Sequence, residues 1–243
     1  MSITHSAHTL KKFDEELATL RDLVLKMGGL VEDQVSRAVG ALERGEPSVA
    51  LEVVERDRDV DRMEIRADEE VAQLLALRTP LGVDLRTVLT LSKTVNDLER
   101  IGDEAKKIAK AAIRLDEGRE EHGGVPGLAH VSTTARYALS MLHGALDALV
   151  RLDLERARQV GEEDDRLDDA YDAALADLKA QMAREPGSIG ASVHVMFALK
   201  ALERIGDHAK NVAEYVFYLV EGRDVRHPKA NPAMNPDAGG KGE

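Results

Sequence analysis

Cysteine and tryptophan are both missing from this 243-residue chain, and aromatic residues make up only 3% of it. Without cysteine, the chain can form neither disulfide bonds nor thiolate metal sites, and a reducing compartment fits this composition. The interior must be built from leucine, valine, isoleucine and alanine. This composition is rich in helix formers and favours an all-α protein over a sheet protein.

Long hydrophobic runs are missing as well. Nowhere are there 18 consecutive apolar residues to cross a bilayer, and the first 17 residues lack the apolar region of a signal peptide. The formal net charge of −12 argues against a nucleic-acid binder, which needs a basic surface. We therefore expect a soluble, cytoplasmic protein without membrane insertion, suited to binding cations or a basic partner surface.

Proline and glycine divide the chain into six amphipathic segments. Their periodic apolar residues predict helices at about residues 8–43, 48–77, 81–116, 128–152 and 154–184, and a sixth helix that follows the break at residues 186–188 and ends near residue 221. A polar, glycine-rich linker at residues 117–127 separates two sets of three helices. We therefore predict one three-helix bundle over residues 8–117, a second over residues 126–222, and a disordered tail over residues 223–243.

One nine-residue motif occurs twice. Residues 98–106 read LERIGDEAK and residues 202–210 read LERIGDHAK, with one difference over nine positions and an offset of 104. The motif places two acids four residues apart, on one helix face, and such like charges weaken an isolated helix. A bound cation would explain why the chain repeats this arrangement. The two predicted acid pairs are Glu99 with Asp103 and Glu203 with Asp207.

A further acid pair with the same spacing lies on the preceding helix of each half. Asp57 and Asp61 form this pair in the first half, and Asp164 and Asp168 form it in the second. Because a short turn joins the two helices of each half, they should be antiparallel neighbours with their acid pairs at the same height. The sequence therefore predicts that four carboxylates converge in each half.

A glycine interrupts the apolar seam inside each copy of the motif. Gly102 and Gly206 each cost about 1 kcal/mol of helix propensity relative to alanine. We expect these glycines to let a neighbouring helix come close beside the acids.

Two interpretations of the acids are open. Acids beside a helical seam are often a solvated flank paired with nearby arginines, here Arg58, Arg100, Arg166 and Arg204. The duplication of all four pairs favours a cation site, because clustered unpaired carboxylates repel one another. Oxygen ligands suit Mg²⁺, Mn²⁺, Ca²⁺ or iron, and zinc less well. His208 is interpreted as a surface or partner-binding residue and His194 as a core or interface residue, rather than as ligands.

The sequence resembles the PhoU family of phosphate-transport regulators. The resemblance covers about residues 8–227 and depends on LERIGDEAKKIAK, LERIGDHAKNVAEYV, RDRDVDRM, EDDRLDDAY and VEGRDVRH. It implies two tandem three-helix bundles with multinuclear metal sites on their surface. The implied ligands, by position, are Asp57, Asp61, Glu99, Asp103, Asp164, Asp168, Glu203 and Asp207. We predict that they bind divalent or trivalent metal ions, namely iron, zinc, manganese or magnesium.

The resemblance also implies a function. The family is cytoplasmic, dimerises, and represses the phosphate-starvation response by linking a Pst-type ABC phosphate transporter, through its ATPase subunit, to a membrane sensor histidine kinase. We therefore predict a homodimeric regulatory adaptor and not an enzyme, since neither a P-loop nor a G-x-S-x-G motif is present.

Two alternatives belong to other classes of protein. A carboxylate-bridged di-metal enzyme would typically use Glu-x-x-His motifs, yet none of the eight histidines has a glutamate three residues before it. A metal-free structural coiled coil is the other alternative. The proline-punctuated helices are short for that architecture, and their seams carry acids and glycines.

Overall fold

The computed structural model describes residues 3–118 and 125–226, with side chains from residue 11 onwards. The first half contains three helices: α1 (Ile3–Arg44), α2 (Pro47–Arg78) and α3 (Gly82–Glu117). The second half contains α4 (Leu128–Arg151), α5 (Leu154–Arg184) and α6 (Ile189–Glu221). A short 3₁₀ turn, Pro186–Ser188, precedes α6.

Local sequence explains where the helices begin and end. Pro47 opens α2 at a position where its missing N–H costs nothing. Asp153 caps α5, because its carboxylate accepts hydrogen bonds from the backbone N–H groups of Glu155 (2.9 Å) and Arg156 (3.0 Å). Gly222 ends α6 in the left-handed conformation, with φ of +72°.

Within each half, the three helices all pack against one another, and the most extensive contact of the molecule joins α3 to α6 across the halves. A smaller contact joins α1 to α4. The buried apolar side chains form one continuous core that includes residues of all six helices. The two halves therefore share an interior, with α3 and α6 at its centre.

The all-α fold class is confirmed, and the predicted helices agree with those of the described residues to within a few positions. The first helix is the exception, because it begins at Ile3 instead of near residue 8. Residues 119–124 of the predicted linker and residues 227–243 of the predicted tail lie outside the described part. No helix among the described residues is long and apolar enough to cross a membrane.

The two seam glycines differ in how tightly they are packed. A Cβ atom built on Gly206 would lie 2.0 Å from Cδ2 of Leu167 on α5. On Gly102 the closest atom would be Cγ1 of Val60 on α2, at 3.4 Å. Both glycines do face a neighbouring helix, but only Gly206 has a neighbour that leaves no room for a methyl group.

Candidate metal centre

The acids of α2 and α3 form one cluster in the first half. We call Asp57, Asp61, Glu64, Glu99 and Asp103 the first acid cluster. Asp57 is 3% exposed and lies on the apolar seam of α2, so its carboxylate is held inside the bundle. Lys106 of α3 donates a hydrogen bond to Asp57, and its Nζ lies 3.8 Å from Oδ1 of Asp103. A single ammonium group thus bridges the two helices of the cluster.

The carboxylates of the first acid cluster disfavour one another's charge. Burial raises the pKa of Glu99, and the negative charges of Asp103, Glu64 and Asp61 raise it further, while Arg100 opposes them. The hydrogen bond to Asp57 raises the pKa of Lys106. The cluster therefore carries excess negative charge that the local cations do not fully balance.

The second half repeats this arrangement. Asp164, Asp168, Glu203 and Asp207 form the second acid cluster, on α5 and α6. Lys210 donates a hydrogen bond to the buried Asp164, as Lys106 does to Asp57. Burial raises the pKa of Asp207, and the charges of Glu203, Asp164 and Asp168 add to this effect. The pKa of Asp168 is raised in the same way, by burial and then by Asp164 and Glu203.

One oxygen in each cluster is left without a hydrogen bond. Oε2 of Glu99 and Oε2 of Glu203 are both shielded from solvent and have no hydrogen-bond partner. Each oxygen is in ion-pair contact with one cation: Arg100 Nε lies 3.2 Å from the Glu99 oxygen, and Lys200 Nζ lies 2.6 Å from the Glu203 oxygen. A shielded carboxylate oxygen at equivalent positions in both halves, contacted by one partly exposed cation, is a ligand of the type that a hard cation prefers.

In each cluster a lysine occupies the side of the buried aspartate that faces the other acids. Among the side chains of residues 11–118 and 125–226, no three of His, Asp or Glu are grouped closely enough to hold one metal ion together. The ammonium groups of Lys106 and Lys210 lie against the buried aspartates that a metal would need. The donor atoms fit a hard cation, and metal binding would require these two lysines to turn away.

The eight acids selected from the sequence lie in the two acid clusters, four in each half. The lysines that act as their counter-ions were not predicted. Lys106 and Lys210 are the last residues of the two motif copies, three positions after the second acid, and that shared position was the available signal. Among the predicted arginines, Arg100 lies beside Glu99. Arg204 instead pairs with Glu104 of the other half, at 3.0 Å.

A buried polar network joins the halves and was also missed. Asp97 of α3 is 7% exposed and interacts with three residues of α6. Its oxygens lie 2.7 Å from His208 Nδ1, 3.1 Å from Asn211 Nδ2 and 2.7 Å from the Tyr215 hydroxyl. Burial, together with the hydrogen bond to Asp97, raises the pKa of Tyr215. The interpretation of His208 as a surface residue is therefore wrong, because it is part of the contact between the halves.

Comparison with known proteins decides the family. A family model described as the PhoU domain matches the chain twice, at residues 24–112 and 131–216, and so covers the helices of both acid clusters. The chain belongs to the PhoU family. The two matched regions correspond to the two halves, so each half of this PhoU protein carries one acid cluster.

Relatives and solved structures agree with this assignment. The chain is 45% identical over 226 residues to a phosphate-specific transport system accessory protein PhoU homolog of Pseudomonas putida, covering 93% of this chain and 86% of the relative. It is 36% identical to the phosphate-specific transport system accessory protein PhoU of Escherichia coli (strain K12), covering 93% of this chain and 92% of the relative.

Two crystal structures share the fold. PhoU from Pseudomonas aeruginosa matches with a TM-score of 0.83 and 43% identity, over 87% of this chain and all of that chain. The phosphate transport system regulatory protein PhoU from Streptococcus pneumoniae matches with a TM-score of 0.81 and 29% identity, over 88% of this chain and 99% of that chain.

Proposed function

We propose that this protein is a cytoplasmic negative regulator of phosphate uptake and of the phosphate-starvation response. It acts as an adaptor between a Pst-type ABC phosphate transporter, contacted at the ATPase subunit, and a sensor histidine kinase. The observation that carries the proposal is the match, over 93% of the chain, to proteins named as accessory to phosphate-specific transport. The proposed role is regulatory and not enzymatic, in keeping with the naming of these relatives as accessory proteins.

The test of this role is a deletion strain of the source organism. Without the protein, phosphate uptake and the starvation response should stay active when phosphate is abundant, and the wild-type chain should restore control. Normal control of uptake in the deletion strain would contradict the regulatory role. Purified ATPase subunit and kinase cytoplasmic domain should each bind the chain, and binding to neither would contradict the adaptor role.

We further propose that the two acid clusters bind metal ions and that Lys106 and Lys210 are the cations that metal displaces. The ligands are the eight predicted acids, and the bound metal is iron, zinc, manganese or magnesium. The mutual repulsion of the carboxylates supports this proposal, as does the recurrence of shielded Glu99 and Glu203 oxygens at equivalent positions of the two halves. Bound cations would relieve that repulsion and so stabilise the bundle.

A paired substitution tests the ligands of the second acid cluster. Glu203→Ala with Asp207→Ala should lower the metal content while leaving the helical circular dichroism signal largely intact. A control variant with Glu69→Ala and Glu162→Ala removes two exposed acids outside the eight predicted ligands and should keep the metal. Equal metal content in both variants would remove Glu203 and Asp207 from the site.

We propose that the protein forms a homodimer, as the family resemblance implies. Sedimentation velocity of the full chain should give the mass of two copies at micromolar concentration. A monomer across that range would contradict this part of the proposal.

A further inference from the structure

The contact between α3 and α6 has an approximate two-fold symmetry. Asp97 meets Asn211, and Glu104 meets Arg204, so the two helices run antiparallel. The motif offset of 104 relates each position on α3 to one on α6. Any cluster along one half of this contact therefore has an equivalent location in the other half, and the two locations can be compared side chain by side chain.

One of the two equivalent locations is filled by the protein's own side chains. The carboxylate of Asp97 lies among His208, Asn211 and the hydroxyl of Tyr215. Lys93 covers this cluster, with its Nζ 5.6 Å from the ring centre of Tyr215. A carboxylate and an aromatic ring thus occupy the space between the helices, and cationic and amide groups surround them.

The other location is open. Ala201 stands at the position equivalent to Asp97, and Ala111 at the position equivalent to Tyr215. These two alanines line a cleft of about 340 Å³ between α3 and α6. Phe197, equivalent to Lys93, lines the cleft and is 65% exposed. The side chains that fill the first location are therefore missing at the second, and an exposed aromatic ring lies beside the gap.

The cleft is basic although the chain is acidic. Its lining includes five cations and one histidine: Lys107, Lys110, Arg114, Lys200, Arg204 and His194. Glu104 is the one acid in the lining, where it accepts a hydrogen bond from Lys107 (2.8 Å) and pairs with Arg204. Lys110 has no hydrogen bond or ion pair among the described residues. Arg114 pairs with Glu117 and Lys200 with Glu203, both just outside the lining. Lys110 is therefore the lining cation that is left without a carboxylate partner among the described residues.

We propose that this basic cleft is a docking site for an acidic segment of a partner protein that carries an aromatic side chain. The filled location shows that the space between the two helices accommodates a carboxylate, hydrogen-bonded to polar side chains, and an aromatic ring. An incoming Asp or Glu would pair with Lys110 and its neighbours, and the incoming ring would pack on Phe197, Ala111 and Ala201.

The length of the cleft suits a short peptide segment. Its lining spans residues 104–114 of α3 and 194–204 of α6, each about 15 Å long at 1.5 Å per residue. That length accommodates roughly four or five residues of extended chain or three turns of helix. The biological meaning of this docking site rests on the adaptor role proposed above, but its binding chemistry can be measured separately.

The test begins with an unbiased selection. A phage-displayed library of random 12-residue peptides is selected on the immobilised full-length chain, and the selected peptides are synthesised with a fluorescent label. We expect the selected peptides to be acidic with an aromatic residue, and their affinity to fall with increasing salt. Selected peptides without excess acidic residues would overturn the proposal.

Variants then locate the site. Phe197→Ala and Lys110→Glu should each weaken binding of the selected peptides at least tenfold. The matched controls are Ile65→Ala, which removes an equally exposed apolar side chain (59%), and Arg62→Glu, which reverses an exposed charge on α2. The controls should leave affinity unchanged. Peptides that bind the Phe197→Ala and Lys110→Glu variants as well as wild type would overturn the proposal.

A transplanted cluster gives an independent test. Ala201→Asp with Ala111→Tyr introduces into the cleft the two side chains that fill the equivalent location, and it should abolish peptide binding. Thermal melting checks that this variant is folded. If it is not folded, the Phe197→Ala and Lys110→Glu variants provide the test.

Competition with small anions is a further test. Saturating ATP or inorganic phosphate should leave peptide affinity unchanged at constant ionic strength. Full competition by either would indicate a small-anion site and overturn a peptide-docking role. These outcomes concern binding by the purified chain, so they are separate from the phosphate control measured in the deletion strain.

Discussion

The two halves of the molecule are alike in their acid clusters and different in their contact with each other. Both halves place a buried aspartate against the lysine that ends the motif, and both leave a glutamate oxygen without a hydrogen bond. At the one motif position that differs, Glu104 faces a basic cleft while His208 joins the Asp97 network. The duplication has therefore kept the arrangement of the acids in both halves. The α3–α6 contact, in contrast, has a buried polar network on one side and an open cleft on the other.

The largest expected effect concerns the filled side of this contact. Asp97→Ala should lower the free energy of unfolding by about 3 kcal/mol, because it leaves three polar groups of α6 without their buried acceptor. Glu104→Ala should cost only about 1 kcal/mol, since Lys107 and Arg204 can both turn to solvent. Urea unfolding of both variants measures the difference. Equal losses would show that the two sides are energetically alike.

Substitution of the two seam glycines should affect stability differently in the two halves. Gly206→Ala should cost about 1–3 kcal/mol, because its new methyl group would meet the buried side chain of Leu167. Gly102→Ala faces an ordinary van der Waals contact and should be neutral or stabilising, by up to about 1 kcal/mol from helix propensity. Thermal melting of the two variants is sufficient. A greater loss for Gly102→Ala would contradict the packing difference.

The helices and the acid faces follow from the sequence for a clear physical reason. Apolar periodicity and proline and glycine breaks act locally, so they place the helices and align acids four residues apart on one face. The counter-ions could not be predicted in this way, because the long side chains of Lys106 and Lys210 can reach several acids. Only the packing of the helices determines which acid each lysine contacts. The pair of Asp97 with His208 is 111 residues apart in sequence and depends on how the halves meet. Nothing in the sequence distinguishes Ala111 and Ala201 from the other alanines of these helices, so the cleft between them is visible only in three dimensions.

The half-buried lysines that end the two motif copies should compete with metal. In chelated protein, Lys106→Met should lower the free energy of unfolding by about 1–2 kcal/mol, since the buried Asp57 then loses its counter-ion. Added Mn²⁺ should recover more stability in this variant than in wild type, because no ammonium group has to be displaced. Lys26→Met, at an exposed position of α1, is the control and should change neither quantity. A Lys106→Met variant that gains nothing from Mn²⁺ would contradict the displacement of lysine by metal.

The smallest expected effect is one of pH. The pKa of Glu99 is raised in the folded state, so folding takes up protons there, and its stabilising contribution is lost as pH rises through the folded pKa. In chelated protein, Glu99→Gln should therefore be more stable than wild type at pH 7, by less than about 1 kcal/mol, and this gain should vanish toward pH 4.

Glu16 offers a matched carboxylate with the opposite sign. Its hydrogen bonds with Arg78 lower its pKa, so its contribution is present at neutral pH and is lost as pH falls through the folded pKa. Glu16→Gln should therefore destabilise the protein at pH 7. Unfolding curves of both variants between pH 4 and pH 7 provide the comparison. A loss of stability at pH 7 in both variants would show that Glu99 is not repelled by its neighbours.

Metal analysis tests the central claim, that the duplicated acid clusters are cation sites, most directly. The chain is purified without a metal-binding tag and analysed by inductively coupled plasma mass spectrometry before and after chelation, with thermal melting alongside. A variant with Glu99→Gln, Asp103→Asn, Glu203→Gln and Asp207→Asn is treated identically. The account predicts several metal ions per wild-type chain, lost on chelation together with a fall in melting temperature, and far fewer in the variant. A wild-type chain that holds no metal, even after incubation with iron or manganese, would contradict it.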